Sequence, residues 1–432
     1  MNALLIHALG RARACAIAAA VLSLAACADA PTASPDRTTT RATTASLSDP
    51  TPFVGCKTGT LASGAMWQIC LPGGWNGNLV VWAHGFVDAS QVLAIPNDAV
   101  EGTPISAIVL ALGDGYATTS YRSNGLAAVD GSHDVDDLLA QFYTLVGPPS
   151  RAYLVGASEG SLSSVLALER ATSQFSGGLA VCGPIGNFRS QINYFGDFRV
   201  LFDYFFPGVL PASPISIPQN LMDHWTDVYE PLVVAAISSH PDATRQLLRV
   251  SRAPVDPSDP NTVAETVLGI LWYNVFATNE ATTRLGGNPY DNRTRIYVGS
   301  SNDLRLNLTI RRFTASQPAL ANLRAFETTG RLQRPVVSLH TTGDPIIPFW
   351  QQELYQLKVL TMPHIAPFVG FPVLRYGHCA FTESEVLAGF ALLVQETGGT
   401  LTVPASLFPT PAAATRFLEL ARSHGADARV MH

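Results

Sequence analysis

Lysine is nearly absent, with two in 432 residues, Lys57 and Lys358. Arginine carries the remaining positive charge. No basic run forms the clustered surface that a nucleic-acid binder needs, so a nucleic-acid partner is not expected. Charge of either sign is scarce, at 14% of residues, against about 25% in an average soluble chain. With 47% hydrophobic residues, this composition excludes a charge-rich disordered chain, which could not bury enough apolar surface to fold. The balance of 27 basic and 33 acidic residues gives a formal net charge of -6. The metal-ligand spacings H-E-x-x-H and C-x-x-C do not occur, so no metal or other cofactor is implied. We find no internal repeat.

The N-terminus has little of what a membrane span requires. Arg11 and Arg13 precede an apolar run from Ala14 to Ala26, too short for the roughly 20 residues that cross a bilayer. Residues 1–26 have the shape of a secretory signal. Their end, Leu24-Ala25-Ala26-Cys27, resembles a bacterial lipoprotein box, which implies cleavage and lipidation at Cys27. Ordinary cleavage after Ala28-Asp29-Ala30 is the alternative and would release the protein. Residues 27–50 then hold the lipid Cys and a flexible tether rich in Thr, Ala, Ser and Pro. By that resemblance the protein is exported and held to the cell envelope, at the outer membrane where one exists, with membrane contact through the lipid only. Otherwise it is secreted or periplasmic.

Besides Cys15 and Cys27, the cysteines are Cys56, Cys70, Cys182 and Cys379. An even number in an oxidising compartment suggests two disulfides, with three possible connectivities. Cys56 and Cys70 fall near the open end of an expected hairpin, Lys57–Ala62 with Ala65–Leu71, turning at Ser63-Gly64.

Buried-strand patterns follow at Leu79–His84, Tyr116–Tyr121, Ala152–Gly156 and Leu179–Cys182. Helical patterns lie between them at Ile105–Leu112, Val135–Val146 and Ser158–Ala171. Ser132 or Asp134 is available to cap the second helix. This alternation points to an α/β fold with a mostly parallel sheet flanked by helices. The rhythm breaks over residues 185–334 and resumes with a strand at Val336–His340. A helix around Trp350–Lys358, a strand at Phe371–Tyr376 and helices at Ser384–Gln395 and near Ala412–Arg422 complete it. The length therefore reads as one core, 51–184 plus 335–432, interrupted by a mainly helical cap over 185–334.

Gly156-Ala157-Ser158-Glu159-Gly160 fits G-x-S-x-G between a buried strand and a helix. Small residues there permit a sharp turn that lifts a strained Ser above the sheet. The helix N-terminus behind it favours negative charge. A Ser hydroxyl needs an adjacent base. Of the ten His, His378 has the right place, in a loop after the strand Phe371–Tyr376. The orienting acid should lie between them in the chain. Asp344 does, on the loop after Val336–His340, with Asp303 a weaker substitute because no strand leads into it.

The order Ser158, Asp344, His378 in this strand context resembles the α/β-hydrolase fold over about residues 51–400, with a large insertion. It is similar to secreted bacterial serine hydrolases of esterase, amidase and aminopeptidase type. The resemblance implies an oxyanion hole from His84-Gly85-Phe86, with the backbone N–H groups of Phe86 and Glu159 as donors. It also gives Cys182 and Cys379 a role, because both fall at the same sheet edge. A bridge between them would pin the His378 loop. Tannases and feruloyl esterases pin their base in this way, but their second Cys adjoins the nucleophile. Here Ala157 occupies that place, which argues against membership of that group.

The resemblance leaves the substrate open. Residues 194–206, YFGDFRVLFDYFF, are aromatic at seven of thirteen positions. Such a segment is more often cap core than substrate wall. As a lid it favours a small apolar or aromatic group, with Phe202, Tyr204 and Arg122 as candidate contacts. The Glu159 carboxylate is expected to meet a substrate amine or the Tyr121–Asn124 loop. The leading function is hydrolysis of a small carboxylic ester. An amidase or aminopeptidase would use the same residues, and a catalytically silent binding lipoprotein is the alternative from another class.

Overall fold

The computed structural model describes residues 53–211, 213–363 and 366–431. The expected signal, Cys27 and the tether lie outside them. Among the described residues no helix is long and apolar enough to cross a membrane.

The chain begins with the hairpin β1 (Gly55–Thr60) and β2 (Met66–Leu71), in a register that sets Cys56 opposite Cys70. These two cysteines form a disulfide. Next come β3 (Asn78–Ala83), the short strands β4 (Ala99–Val100) and β5 (Thr103–Pro104), and helix α1 (Ile105–Ala111). Then β6 (Gly115–Thr119), α2 (Ala128–Leu145), β7 (Arg151–Ala157), α3 (Glu159–Leu168) and β8 (Gly177–Val181) alternate.

Between β8 and β9 (Val336–Gly343) the chain is mainly helical. Its helices are α4 (Phe188–Phe205), α5 (Gln219–Asp223), α6 (Glu230–Ser239), α7 (Pro241–Ser251), α8 (Asn261–Leu285), α9 (Asp303–Thr309) and α10 (Gln317–Asn322). After β9 come α11 (Trp350–Thr361), β10 (Phe368–Tyr376), α12 (Glu383–Glu396), β11 (Leu401–Pro404), α13 (Pro411–Ser423) and β12 (Ala428–Met431).

Eight strands form one sheet in the order β1-β2-β6-β3-β7-β8-β9-β10. The β1–β2 and β2–β6 pairs are antiparallel and the remainder are parallel. This is the α/β-hydrolase arrangement. Its inner parallel strands, β3, β6, β7, β8 and β9, are buried on both faces, which is why they read as continuous apolar runs rather than alternations. Successive residues still point to opposite sides. Val80 and Trp82 pack with α1 and α12, while Leu79, Val81 and Ala83 pack with α2 and α3. The helices between β8 and β9 enclose a core of their own, built on Phe198, Phe202, Leu247, Val267 and Leu271.

Two local expectations are corrected. Helix α2 begins at Ala128 rather than Val135, and neither Ser132 nor Asp134 caps it. The C-terminal segment adds a parallel pair, β11 with β12, that the sequence pattern did not announce.

Candidate functional site

Five parallel strands, β3, β7, β8, β9 and β10, end on the same edge of the sheet. Ser158 sits there, in the turn from β7 to α3, with φ 53° and ψ -121°. A non-glycine residue held at positive φ costs roughly 1–3 kcal/mol, so the surroundings must enforce it. The two glycines of the motif show how. A Cβ on Gly156 would stand 2.2 Å from the Gly160 carbonyl oxygen, and one on Gly160 would stand 2.1 Å from the Ala83 oxygen. Strand β3, strand β7 and helix α3 therefore meet with no room for a side chain. The Ser161 hydroxyl closes the turn, its one hydrogen shared between the carbonyls of Gly156 and Val181, each 2.7 Å from Oγ. The Ser158 N–H also donates to Val181, at 2.8 Å.

His378 follows β10 and reaches back to Ser158, with Nε2 2.9 Å from the Ser158 Oγ. Its Nδ1 lies 2.7 Å from Asp344 Oδ2. The other oxygen, Oδ1, accepts from the N–H groups of Ile346 and Ile347 at 2.9 Å each. Asp344 is fully buried. Burial alone would push its carboxyl up, but the imidazoles of His378 and His340 outweigh that and hold it below the ordinary carboxylate range. An acceptor pair of this kind, close to one imidazole nitrogen, leaves the other nitrogen free to take a proton from a hydroxyl.

His340 lies inside β9 and is also fully buried. Its Nε2 is 2.8 Å from the Ile347 oxygen and 3.6 Å from Asp344 Oδ2. Both neighbours are acceptors, so Nε2 must carry the hydrogen. Although it sits in the core of the sheet, His340 touches the loop that carries Asp344.

A disulfide joins Cys182, at the end of β8, to Cys379, next to His378. It ties the His378 loop to the strand end whose last carbonyl receives the Ser158 N–H. The metal-capable side chains that converge here, Cys182, His378 and Cys379, are already committed. Both sulfurs are in the bridge, and the imidazole bonds Ser158 and Asp344.

The loop after β3 comes in over Ser158. A Cβ built on Gly85 would be 3.3 Å from the Ser158 Cβ. His84 is buried and stacks on Tyr121 at 3.9 Å between ring centroids. The Tyr121 hydroxyl donates to the His84 carbonyl at 3.0 Å. Burial lowers the His84 pKa, so its ring braces the loop as a neutral group. The Phe86 ring packs on Trp272 and Tyr273 of α8.

Glu159 corrects an expectation. Its carboxylate meets neither Arg122 nor the remainder of the Tyr121–Asn124 loop. It accepts from the N–H groups of Ala127 and Ala128, at 2.8 and 3.1 Å, and so caps α2 from outside that helix. Burial pushes this carboxyl up to about 8. Alongside, Glu280 of α8 accepts from the Leu126 N–H at 2.9 Å. Arg122 instead grips Asp134, with Nη2 2.6 Å from Oδ1.

The proposed aromatic contacts are not brought to the site. Phe202 is fully buried within the helical core, one turn after Phe198 on the same face of α4. Tyr204 packs against that core and its ring meets Phe205 edge-on. The residues of α4 that do reach the sheet edge lie two turns earlier. The Tyr194 hydroxyl donates to the Pro345 oxygen, and Gln191 Nε2 donates to the Ile346 oxygen, each at 2.8 Å. Sequence reasoning missed both, although a Gln and a Tyr at i and i+3 inside an apolar stripe were a readable signal.

A cavity of about 320 Å³ opens beside Ser158. Its wall includes Trp82, Gly85, Asp98, Glu101 and Phe381. Among the described residues, none of its lining comes from residues 185–334. The expected lid aromatics are therefore not its walls, and the segment from Asp98 to Ile105 forms one side instead.

No protein-family model matches the chain, and no curated protein matches it. Solved structures give distant likenesses. The acylaminoacyl peptidase of Pyrococcus horikoshii aligns at TM-score 0.39 and 11% identity over 75% of this chain and 37% of that one. An esterase from Aspergillus oryzae aligns at 0.40 and 13%, over 74% and 71%. Oligopeptidase B of Leishmania major aligns at 0.41 and 9%, over 87% and 37%. The chain thus spans just over a third of the two peptidases' lengths. Likeness at this level assigns neither activity nor substrate to this chain.

Proposed function

We propose that the protein is a serine hydrolase that cleaves a carboxylic ester through an acyl-enzyme on Ser158. One observation carries the reading, the continuous line from Ser158 Oγ through His378 to the buried Asp344. In this mechanism His378 takes the Ser158 proton as Oγ attacks the carbonyl carbon. The tetrahedral oxygen sits between the N–H groups of Phe86 and Glu159, where one such donor is worth about 3 kcal/mol of transition-state stabilisation. His378 then protonates the leaving alcohol. A water, deprotonated by His378, releases the acid and restores Ser158. Asp344 keeps the imidazole in the required tautomer.

The same groups would serve an amide, with an amine as the leaving group. The hydrogen-bonded line of the three side chains, ending on a Ser158 held at a strained positive φ, argues against a silent binding protein. We assign residues 185–334 as a cap on the core of 51–184 and 335–432. We also assign export, with Cys27 lipidated and residues 28–50 as tether. Support for export comes from the signal-like segment together with two disulfides.

Covalent labelling by a fluorophosphonate tests the nucleophile. Labelling is expected in the native protein and in Ser158→Thr at a lower rate, and it should vanish in Ser158→Ala. Labelling that persists in folded Ser158→Ala refutes the assignment. Paired esters and amides of one acyl group, run on the same proteins, separate the two substrate types.

A further inference from the structure

The cavity beside Ser158 carries charge of one sign. Asp98 and Glu101 are the charged residues of its lining, and no Lys, Arg or His stands among that lining. Each carboxylate is held by one neutral donor. The Trp82 indole N–H donates to Asp98 Oδ2 at 2.7 Å, and the Glu383 backbone N–H donates to Glu101 Oε2 at 2.9 Å. These bonds fix the two side chains against the cavity without neutralising them. The remainder of the wall is apolar, from Ile105, Val181, Phe381 and Val386. Trp82 adds an indole ring, and indole faces attract cations.

The half-buried Asp98 and the exposed Glu101 line one largely apolar cavity, where they repel each other and disfavour any anionic substrate. A cation relieves both penalties. We propose that the substrate carries an ammonium group, primary or quaternary, on the part that fills this cavity, held between Asp98, Glu101 and the Trp82 ring. The proposal rests on Ser158 as the nucleophile, because that places the cavity next to the scissile carbonyl.

The test uses substrates matched in shape and differing in charge. Acetylthiocholine and 3,3-dimethylbutyl thioacetate differ only in the ammonium centre on the alcohol side. A p-nitrophenyl ester of 4-(trimethylammonio)butyrate and its tert-butyl analogue make the same comparison on the acyl side. In at least one pair, kcat/KM should favour the cation about tenfold at low salt, the size expected for two partly exposed charge pairs. The ratio should shrink in 0.5 M NaCl, which here means roughly a Debye length below 5 Å. In the double variant Asp98→Asn, Glu101→Gln the ratio should fall to about one. Both replacements keep the acceptor oxygens that Trp82 and Glu383 use.

Ratios near one in both native pairs overturn the proposal, as does a preference that survives in the double variant. Titration of choline into Ser158→Ala gives a readout independent of turnover. Binding that disappears with the two carboxylates supports the site, and no binding at millimolar choline overturns it. Loss of all ester turnover and of fluorophosphonate labelling in the native protein would instead refute Ser158 as the nucleophile.

Discussion

Glu159→Gln should make the protein less sensitive to alkali. The carboxyl is buried, and its folded pKa is about 8 against an ordinary 4.5. Between those values the folded state keeps a proton that the unfolded state has released. Native stability therefore falls as pH rises through that window. The full change is about 5 kcal/mol, at about 1.4 kcal/mol per decade of proton affinity. The portion between pH 6 and 9 is about 3 kcal/mol by the same conversion. Gln does not titrate, and its carbonyl can still accept from Ala127 and Ala128. Urea unfolding at both pH values should show the variant gaining about 3 kcal/mol on the native protein between them. Parallel curves would refute the reasoning. Glu159→Ala is the control for the cap. It leaves two buried N–H groups unpaired and should lose about 1–3 kcal/mol for each at either pH.

Other substitutions test the remaining parts. His340→Leu removes a donor from beside Asp344 and should lower kcat/KM, which His340→Gln, restoring a donor, should return; a fall in stability with unchanged kinetics would make His340 merely structural. Gly160→Ala gains about 1 kcal/mol of helix propensity, yet its Cβ would meet a backbone oxygen. A net loss of about 2 kcal/mol or more in denaturant melts is expected. Reducing the disulfides should lower kcat more than it raises KM, because the Cys182–Cys379 bridge positions the loop of His378, the proposed base. Unchanged kinetics after verified thiol release would count against that role.

Much of this was readable from the chain. Leu79–His84 and Ala152–Gly156 are apolar runs because parallel strands are covered on both faces. The turn Gly156–Gly160 carries its own reason, since its small residues are demanded by packing from three elements. What stayed hidden was contributed from a distance. The start of α2 was misplaced because its cap comes from Glu159, on another helix. Phe202 lies in the helical core and not at the site, because an aromatic run reveals an apolar face but not what covers it. The cavity wall from Asp98 to Ile105 has no motif, and β11 and β12 are strands of four residues, too short to show a pattern.

The bridge between Cys182 and Cys379 spans 197 positions, and every residue of the helical segment lies inside the covalent ring it closes. A protease that cut one exposed turn of that segment would open the ring without releasing a fragment. Ser158 would stay with the N-terminal piece and His378 with the C-terminal piece, the two joined through the sulfur of Cys379, next to His378. A nicked molecule would therefore migrate as one species until reduced. In a compartment where proteases are present and thiols are oxidised, the helical segment could be cut with Ser158 and His378 still joined covalently.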